Sequence, residues 1–174
     1  TLRYEAVSDK DTYFNISNHT YFNLSGNFSD SALTHRVQIN ADQYISNTPE
    51  FIPENILTVN NTPFDLRKMI SLQEQILTYP DDIQIRRNLG FNHEYILNHN
   101  TSGQNINLSV SEHSELSDNS RTPDLICTAP DNSLQLQVTS DAPCVVIYSG
   151  GYFETGIKLK DNQLTTPNCA LAFE

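Results

Sequence analysis

Apolar residues alternate with polar ones along much of this chain, and that spacing restricts its fold more than any other feature. The clearest case is the stretch SLQLQVTSD, in which Leu134, Leu136 and Val138 are separated by polar residues. A period of two residues places successive side chains on opposite faces of a strand, so each such stretch predicts a strand with one buried face. Three further stretches share the spacing, at Leu2, Tyr4 and Ala6, at Val37 and Ile39, and at Leu108 and Val110.

One apolar run and one helical pattern differ from this alternation. The run CVVIY at 144–148 is continuous and rich in β-branched residues, which predicts a strand covered on both faces. The stretch SLQEQILTY at 71–79 predicts the one helix, with Ser71 as its N-cap and Pro80 ending it. Many strands with a single short helix predict an all-β chain folded as an antiparallel β-sandwich.

The charge balance and the cysteines restrict the partners and the environment. A formal net charge of -11 argues against nucleic acid as a partner, because phosphates are bound by cationic side chains. No apolar run approaches the roughly 20 residues that cross a bilayer, so no membrane partner is expected. The three cysteines, Cys127, Cys144 and Cys169, form no CxxC or metal-binding pattern. They are interpreted as reduced thiols of a cytoplasmic protein.

The length of 174 residues fits one domain, and both ends of the chain read as strand. TLRYEAVS opens within an alternating pattern and NCALAFE closes within another, with no cap or turn at either end. Strands cut open in this way would leave unpaired edges. We therefore expect residues 1–174 to be part of a single sandwich domain, with the remainder of its own chain as a partner.

The stretch NISNHTYFNLSG at 15–26 places His19 between two polar residues and directly before an aromatic pair. The plainer interpretation is a histidine whose ring nitrogens satisfy nearby backbone groups. The alternative is a sugar-binding groove, which requires amides and hydroxyls to bond sugar hydroxyls, and aromatic rings to lie against C–H faces.

Five segments of the chain resemble, in order, the aldose 1-epimerase (galactose mutarotase) family. They are NHTYFNLSG at 18–26, NTPFDLR at 61–67, LGFNHEYIL at 89–97, SLQLQVTSDAPCVVIYSGGYF at 133–153 and NCALAFE at 168–174. The first is the most specific, and the others gain weight from their order. The resemblance implies a large antiparallel β-sandwich of the galactose mutarotase type. It also implies that the chain is the C-terminal portion of such a protein, with the N-terminal portion missing.

The resemblance further implies that the protein interconverts the α and β anomers of free aldohexoses by opening and closing the sugar ring. It makes Glu174 the base and His19 the acid, placed on opposite sides of the ring. The substrate is a small-molecule monosaccharide, with Asn18, Asn92 and Tyr148 as substrate-binding residues. The reaction requires no metal and no cofactor.

Position 92 departs from the family pattern, because Asn92 stands where the family usually has an Asp in contact with sugar hydroxyls. An amide keeps the hydrogen bonding and loses the charge. This departure keeps open a non-catalytic carbohydrate-binding β-sandwich as an alternative. A hexose-6-phosphate 1-epimerase is another alternative, for which Arg86 and Arg87 form an adjacent basic pair.

The remaining candidates are interpreted as structural or solvent-facing. His93 is expected to have a structural role. Asp65 and Arg67 are expected to form an ion pair within a loop. The polar surroundings of His35, His99 and His113 predict that these three histidines face solvent.

Overall fold

The computed structural model describes residues 5–98 and 122–174, and strands make up most of its regular structure. Within these ranges lie the strands β1 (Tyr21–Phe22), β2 (Arg36–Ile39), β3 (Ala41–Asn47), β4 (Pro53–Thr58), β5 (Ile70–Ser71), β6 (Asn92–Leu97), β7 (Leu125–Thr128), β8 (Gln135–Val138), β9 (Cys144–Tyr148) and β10 (Leu171–Phe173). The helices are α1 (Leu72–Thr78) and α2 (Ile83–Asn88), with short 3₁₀ turns at Ala32–Thr34 and Lys160–Asn162.

The strands form two antiparallel sheets. One has six strands in the order β1-β10-β9-β6-β3-β4, and the other has four in the order β5-β2-β7-β8. Side chains from both sheets meet in one apolar core, which includes Val37 of β2, Tyr95 of β6, Cys127 of β7 and Ile147 of β9. This arrangement confirms the predicted antiparallel β-sandwich.

The four alternating stretches differ in their outcome. Val37 and Ile39 are buried in β2 as predicted. Leu136 and Val138 are partly buried in β8, while Leu134 lies before the strand and is exposed. The stretch at 1–8 is described only from residue 5, and residues 5–8 are exposed and form no strand, contrary to the prediction. Leu108 and Val110 lie outside the described residues.

The run CVVIY forms β9, which lies between β10 and β6 inside the larger sheet. Val145 and Ile147 face the core and are almost fully buried. The three residues that alternate with them, Cys144, Val146 and Tyr148, are half-buried. Both faces of β9 are therefore covered, one of them only in part.

The predicted helix is present as α1, and a second helix was not predicted. Ser71 is the N-cap residue of α1, but its hydroxyl donates to the Leu33 carbonyl oxygen rather than capping the helix. In α2 the Asp82 carboxylate accepts hydrogen bonds from the N–H groups of Gln84 and Ile85. The alternation of Ile83 and Ile85 hides this short helix, because it reads as strand spacing.

The chain leaves α2 through a turn that only glycine allows. Leu89 adopts a left-handed conformation with φ of 52°, and Gly90 follows with φ of 138°. A side chain at position 90 would collide with the hydroxyl of Ser149. That hydroxyl accepts from the Phe91 N–H at 3.0 Å, so the close approach joins the start of β6 to the end of β9.

The cap of α2 provides a stability test. We expect Asp82→Ala to lower the free energy of unfolding by about 1 kcal/mol, because two N–H groups of the first turn lose their acceptor. The neighbouring Asp81→Ala is the matched control. The Asp81 side chain is exposed and makes only a long contact, of 3.9 Å, with Arg86, and a surface ion pair of this kind contributes little to stability. Urea unfolding of the two variants measures the difference, and equal losses would contradict the capping role.

His35 is buried, not solvent-facing as the sequence suggested. Its side chain is 1% exposed, and its Nε2 accepts a hydrogen bond from the Leu24 N–H at 2.9 Å. Burial lowers the pKa of His35. The physical reason is its position: it lies two residues before Val37 on the buried face of the β2 alternation. His99 and His113 lie outside the described residues.

Asp65 and Arg67 form the predicted ion pair. Nη2 of Arg67 lies 2.7 Å from Oδ2 of Asp65, and its Nη1 lies 3.1 Å from Oδ1 of Asp42. Hydrogen bonding to Arg67 lowers the pKa of the Asp65 carboxyl. The pair therefore ties the loop after β4 to the start of β3.

No helix in the described part of the chain is long and apolar enough to cross a membrane.

Candidate active site

The register of four neighbouring strands brings the candidate residues onto one face of the six-stranded sheet. Tyr21 of β1 pairs with Ala172 of β10, Ala172 pairs with Tyr148 of β9, and Tyr148 pairs with Asn92 of β6. Residues that pair directly across strands share a face, so Tyr21, Tyr148 and Asn92 lie on the same side. The alternating residues, such as Phe22 and Ile147, pack into the core on the other side.

Glu174 continues this face beyond the end of β10. Its N–H donates to the Val146 carbonyl oxygen at 3.1 Å, and its own carbonyl oxygen accepts from the Val146 N–H at 2.8 Å. These bonds extend the pairing with β9, so Glu174 lies two residues beyond Ala172 on the same face. Its side chain is 21% exposed, which leaves the carboxylate accessible just beyond the end of β10.

His19 and Glu174 are in direct contact. Nε2 of His19 lies 3.1 Å from Oε1 of Glu174, and the imidazole is 49% exposed. The structure thus brings together the two residues that the sequence singled out as acid and base. Their arrangement differs from the expected one, because a separation of 3.1 Å leaves no room for a sugar ring between them. Both groups reach a common point from the same side.

Aromatic rings form one wall of this site. The His19 ring centroid lies 4.8 Å from that of Tyr21 and 6.3 Å from that of Tyr148, and Tyr21 in turn lies 4.7 Å from Phe153. Burial, with the nearby Tyr148 and Glu174, raises the pKa of Tyr21, so its phenol keeps its proton. An apolar wall beside a carboxylate and an imidazole suits a ligand with both C–H faces and hydroxyl groups.

The three predicted binding residues occupy different positions around this wall. Tyr148 lies within it, and its hydroxyl oxygen accepts from the Tyr152 N–H at 3.4 Å. Asn92 is half-buried beside Tyr148 in the register. Asn18 precedes His19, and its Oδ1 accepts from the Thr20 N–H at 3.0 Å. This bond shapes the turn that presents His19.

Sequence reasoning missed two contributors to this face. Tyr21 belongs to the aromatic pair that follows His19, and it lies two residues from His19 and therefore shares its side of the chain. Glu94 follows Asn92 by two residues in β6 and therefore lies on the same face. Its Oε2 is buried with no hydrogen-bond partner among the described residues. The period of two that identified the strands also carries both signals.

The adjacent arginines of α2 make separate contacts. Arg86 lies 3.9 Å from Asp81 at the surface, whereas Arg87 donates to the carbonyl oxygen of Asn47. The two guanidinium groups are therefore engaged by different partners. In residues 5–98 and 122–174, no group of three His, Cys, Asp or Glu side chains is placed to hold a metal ion.

Comparison with known proteins gives a consistent result. The family model described as aldose 1-epimerase matches residues 1–171. The chain is 29% identical to the aldose 1-epimerase of Escherichia coli over 153 residues, which is 87% of this chain and 38% of that protein. It is 28% identical to the Haemophilus influenzae aldose 1-epimerase over 175 residues, or 99% of this chain and 44% of that protein. Mouse galactose mutarotase is 36% identical over 97 residues, or 55% of this chain and 26% of that protein.

Two solved structures share the fold. Galactose 1-epimerase from Lactobacillus acidophilus superposes with a TM-score of 0.63 at 28% identity, covering 90% of this chain and 38% of that one. An aldose epimerase homologue from C. elegans has a TM-score of 0.67 at 20% identity, covering 90% of this chain and 39% of that one, and it is evidence for the fold alone. The chain thus spans about two fifths of the length of these proteins. The family match runs through nearly all of this chain, and it does not support the narrower expectation of a C-terminal portion.

Proposed function

Because this chain belongs to the aldose 1-epimerase family, we propose that the full-length protein interconverts the α and β anomers of free aldohexoses such as glucose and galactose. One observation carries the proposal: the 3.1 Å contact between the His19 imidazole and the Glu174 carboxylate on a face lined by aromatic rings. Relatives named aldose 1-epimerase and galactose mutarotase support the same assignment.

The reaction begins with opening of the sugar ring. The Glu174 carboxylate takes the proton from the O1 hydroxyl, and the protonated His19 gives a proton to the ring oxygen O5. The C1–O5 bond breaks with its electron pair remaining on O5, while C1 and O1 form a carbonyl. Each proton transfer of this kind contributes about 10²–10⁴-fold to the rate.

Ring closure inverts the anomeric centre. Rotation about the C1–C2 bond turns the other face of the aldehyde toward the O5 hydroxyl, which then attacks C1. His19 takes the proton from O5, and Glu174 returns one to O1, so the two groups exchange roles and end as they began. Histidine suits this exchange, because an imidazole gains and loses protons near neutral pH.

The contact between the two groups suits this chemistry. O1 and O5 are both bonded to C1, so a donor and an acceptor that lie side by side can reach the two oxygens together. His19 is half exposed, on a stretch before β1 that forms no helix or strand, and its ring can shift to admit the hydroxyl. The groups therefore act from one edge of the sugar and need not enclose it.

The remaining residues of the face hold the sugar. Tyr21 and Tyr148 lie against its C–H surface, and the amides of Asn92 and Asn18 bond its hydroxyl groups. A neutral amide at position 92 forms weaker hydrogen bonds to hydroxyls than a carboxylate would. This feature favours one alternative, a sandwich that binds sugars without converting them.

Polarimetry separates the enzyme from the sugar-binding module. Crystalline α-D-glucose or α-D-galactose is dissolved with the full-length protein, and the optical rotation is followed to equilibrium. We expect a faster approach to equilibrium than in buffer alone. Sugar binding measured by calorimetry without any faster approach to equilibrium would overturn the proposed activity and favour the sugar-binding module. Use of hexose 6-phosphates in parallel tests the phosphorylated alternative, for which we expect no preference.

The dependence of the rate on pH tests the two roles. We expect a bell-shaped profile of kcat/KM, because one group must be deprotonated while the other is protonated. Glu174→Gln should abolish the limb on the acidic side, and His19→Asn the limb on the alkaline side. A profile that is flat from mildly acidic to mildly alkaline pH would contradict the assignment of acid and base.

We also propose that the protein acts in the cytoplasm on a free monosaccharide. All three cysteines are free thiols, which is the usual state in a reducing compartment. Burial raises the pKa of the Cys127 thiol to about 12, so that thiol is unreactive at neutral pH.

A further inference from the structure

On the side of β6 that faces β3, side chains rather than strand pairing bond both backbone groups of Asn92. Its N–H donates to Nδ1 of His93 at 3.1 Å, and its carbonyl oxygen accepts from Nδ2 of Asn47 at 2.7 Å. The backbone pairing of β3 with β6 ends at Tyr44 and Tyr95, three residues short of Asn92. Two side-chain bonds thus replace the strand pairing at the end of β6 that carries the proposed sugar-binding amide.

The side chain of Gln84 holds Asn47, which donates one of these bonds to Asn92. Its Oε1 accepts from the Asn47 N–H at 2.9 Å, and its Nε2 donates to the Asn47 carbonyl oxygen at 3.0 Å. The amide of Gln84 therefore pairs with the Asn47 backbone as another strand would. It reaches from α2 to the end of β3, and so connects the helix to both strands.

Gln84 also sets the orientation of the His93 ring. Because Nδ1 of His93 accepts from Asn92, the ring proton is on Nε2, which lies 3.1 Å from Oε1 of Gln84. The ring packs against Phe64 on the core side, with centroids 4.3 Å apart. One imidazole thus joins the helix to the Asn92 backbone without facing the sugar site.

The side chains of this network are buried. The exposed fractions are 3% for Asn47, 9% for Gln84 and 0% for Asn88 and His93. The amide of Asn88 adds a bond to the Gln84 carbonyl oxygen at 2.8 Å. Loss of one partner in a buried polar network leaves the other unpaired and costly, so the arrangement has few alternatives.

We propose that Gln84 and His93 are positioning residues that hold Asn92 at the sugar site through its backbone. This inference rests on the proposed function, because it assigns Asn92 to the binding of sugar hydroxyls. Binding groups act only when they are held close to the productive geometry, and small displacements weaken them strongly. The network supplies that constraint from the core side of the sheet.

Two substitutions of His93 separate positioning from packing. The side-chain oxygen of asparagine lies near the place of Nδ1, whereas the amide of glutamine reaches the place of Nε2. His93→Asn therefore keeps an acceptor for the Asn92 N–H, and His93→Gln removes it, while both lose the ring. In the full-length protein we expect His93→Gln to raise KM for galactose by about tenfold with kcat nearly unchanged. His93→Asn should keep KM close to that of the wild type.

Hydrogen exchange of the Asn92 amide provides a readout that does not need activity. We expect faster exchange in His93→Gln than in His93→Asn or the wild type. Equal KM values in the two His93 variants would overturn the positioning role. If the wild type neither binds nor converts sugar, the proposed function fails. In that case, equal exchange rates of the Asn92 amide in the two His93 variants would overturn the positioning role on their own. If the His93 variants do not fold, Gln84→Met provides the test instead. It keeps a side chain of similar length, removes the bonds to Asn47, and should raise KM by a factor similar to that expected for His93→Gln.

Discussion

Replacing His19 with Asn, or Glu174 with Gln, is expected to lower the mutarotation rate of the full-length protein by about 10²–10⁴-fold. Each substitution keeps a polar side chain of similar shape and removes a group that transfers a proton. Because neither change removes the aromatic wall or Asn92, we expect KM to stay within a few-fold of the wild-type value. Optical rotation under initial-rate conditions measures both constants.

A control separates this loss from a general effect of removing charge. Glu74 lies exposed on α1 and takes no part in the candidate site, so Glu74→Gln should retain the wild-type rate. The double variant of His19 and Glu174 should lose little more than either single variant, because the two groups act as a unit. Near-normal turnover in either single variant would refute the assignment of acid and base.

Acid is expected to destabilise the fold strongly through His93. Burial, with a smaller effect from Arg87, lowers the pKa of His93 to about 3 in the folded state. In the unfolded chain the imidazole binds a proton below its ordinary pKa of about 6.5. The unfolded state therefore takes up the proton first, and stability falls as pH falls from about 6.5 toward 3. This group contributes a loss of about 1.4 kcal/mol per pH unit, or about 5 kcal/mol over the whole interval.

His93→Asn isolates that contribution, because it removes the titrating ring and keeps the acceptor for the Asn92 N–H. Urea unfolding between pH 7 and pH 4 should give a shallower dependence of stability on pH in the variant than in the wild type. The buried His35 remains in both proteins, so its contribution cancels in the comparison. The same slope in both proteins would show that His93 takes up protons without unfolding.

Local spacing predicts the strands that face the core. It also predicts the burial of His35, which the polarity of its neighbours does not. Val37 and Ile39 are buried in β2 as their alternation predicts. The same alternation extends back to His35, which is buried for the same geometric reason. Its polar neighbours suggested solvent instead. Here the period of two was the better guide than the polarity of adjacent residues.

The elements that were missed lack a local signal. The strand β4 is exposed along its whole length, so no alternation marks it. The helix α2 has six residues, and the strand-like spacing of Ile83 and Ile85 obscures the signals at its two ends, Asp82 and Gly90. The bonds from Gln84 to Asn47 join residues far apart in sequence, and neither side chain suggests the other. Such contacts depend on how the elements pack, which no local pattern encodes.

The candidate site was predictable in its residues and not in its geometry. The resemblance to the aldose 1-epimerase family singled out His19 and Glu174, but not their direct contact on one side. That contact follows from strand register: β1 pairs with β10 so that Tyr21 lies opposite Ala172. A register shift of one residue would turn these side chains to the core.

A structure of the full-length protein with galactose or glucose bound tests the central claim most directly. The account predicts that a carboxylate oxygen of Glu174 lies about 2.6–3.2 Å from O1, and Nε2 of His19 at a similar distance from the ring oxygen. The sugar should lie against Tyr21 and Tyr148, with the Asn92 amide at its hydroxyls. A sugar bound elsewhere, or one that reaches neither His19 nor Glu174, would contradict it.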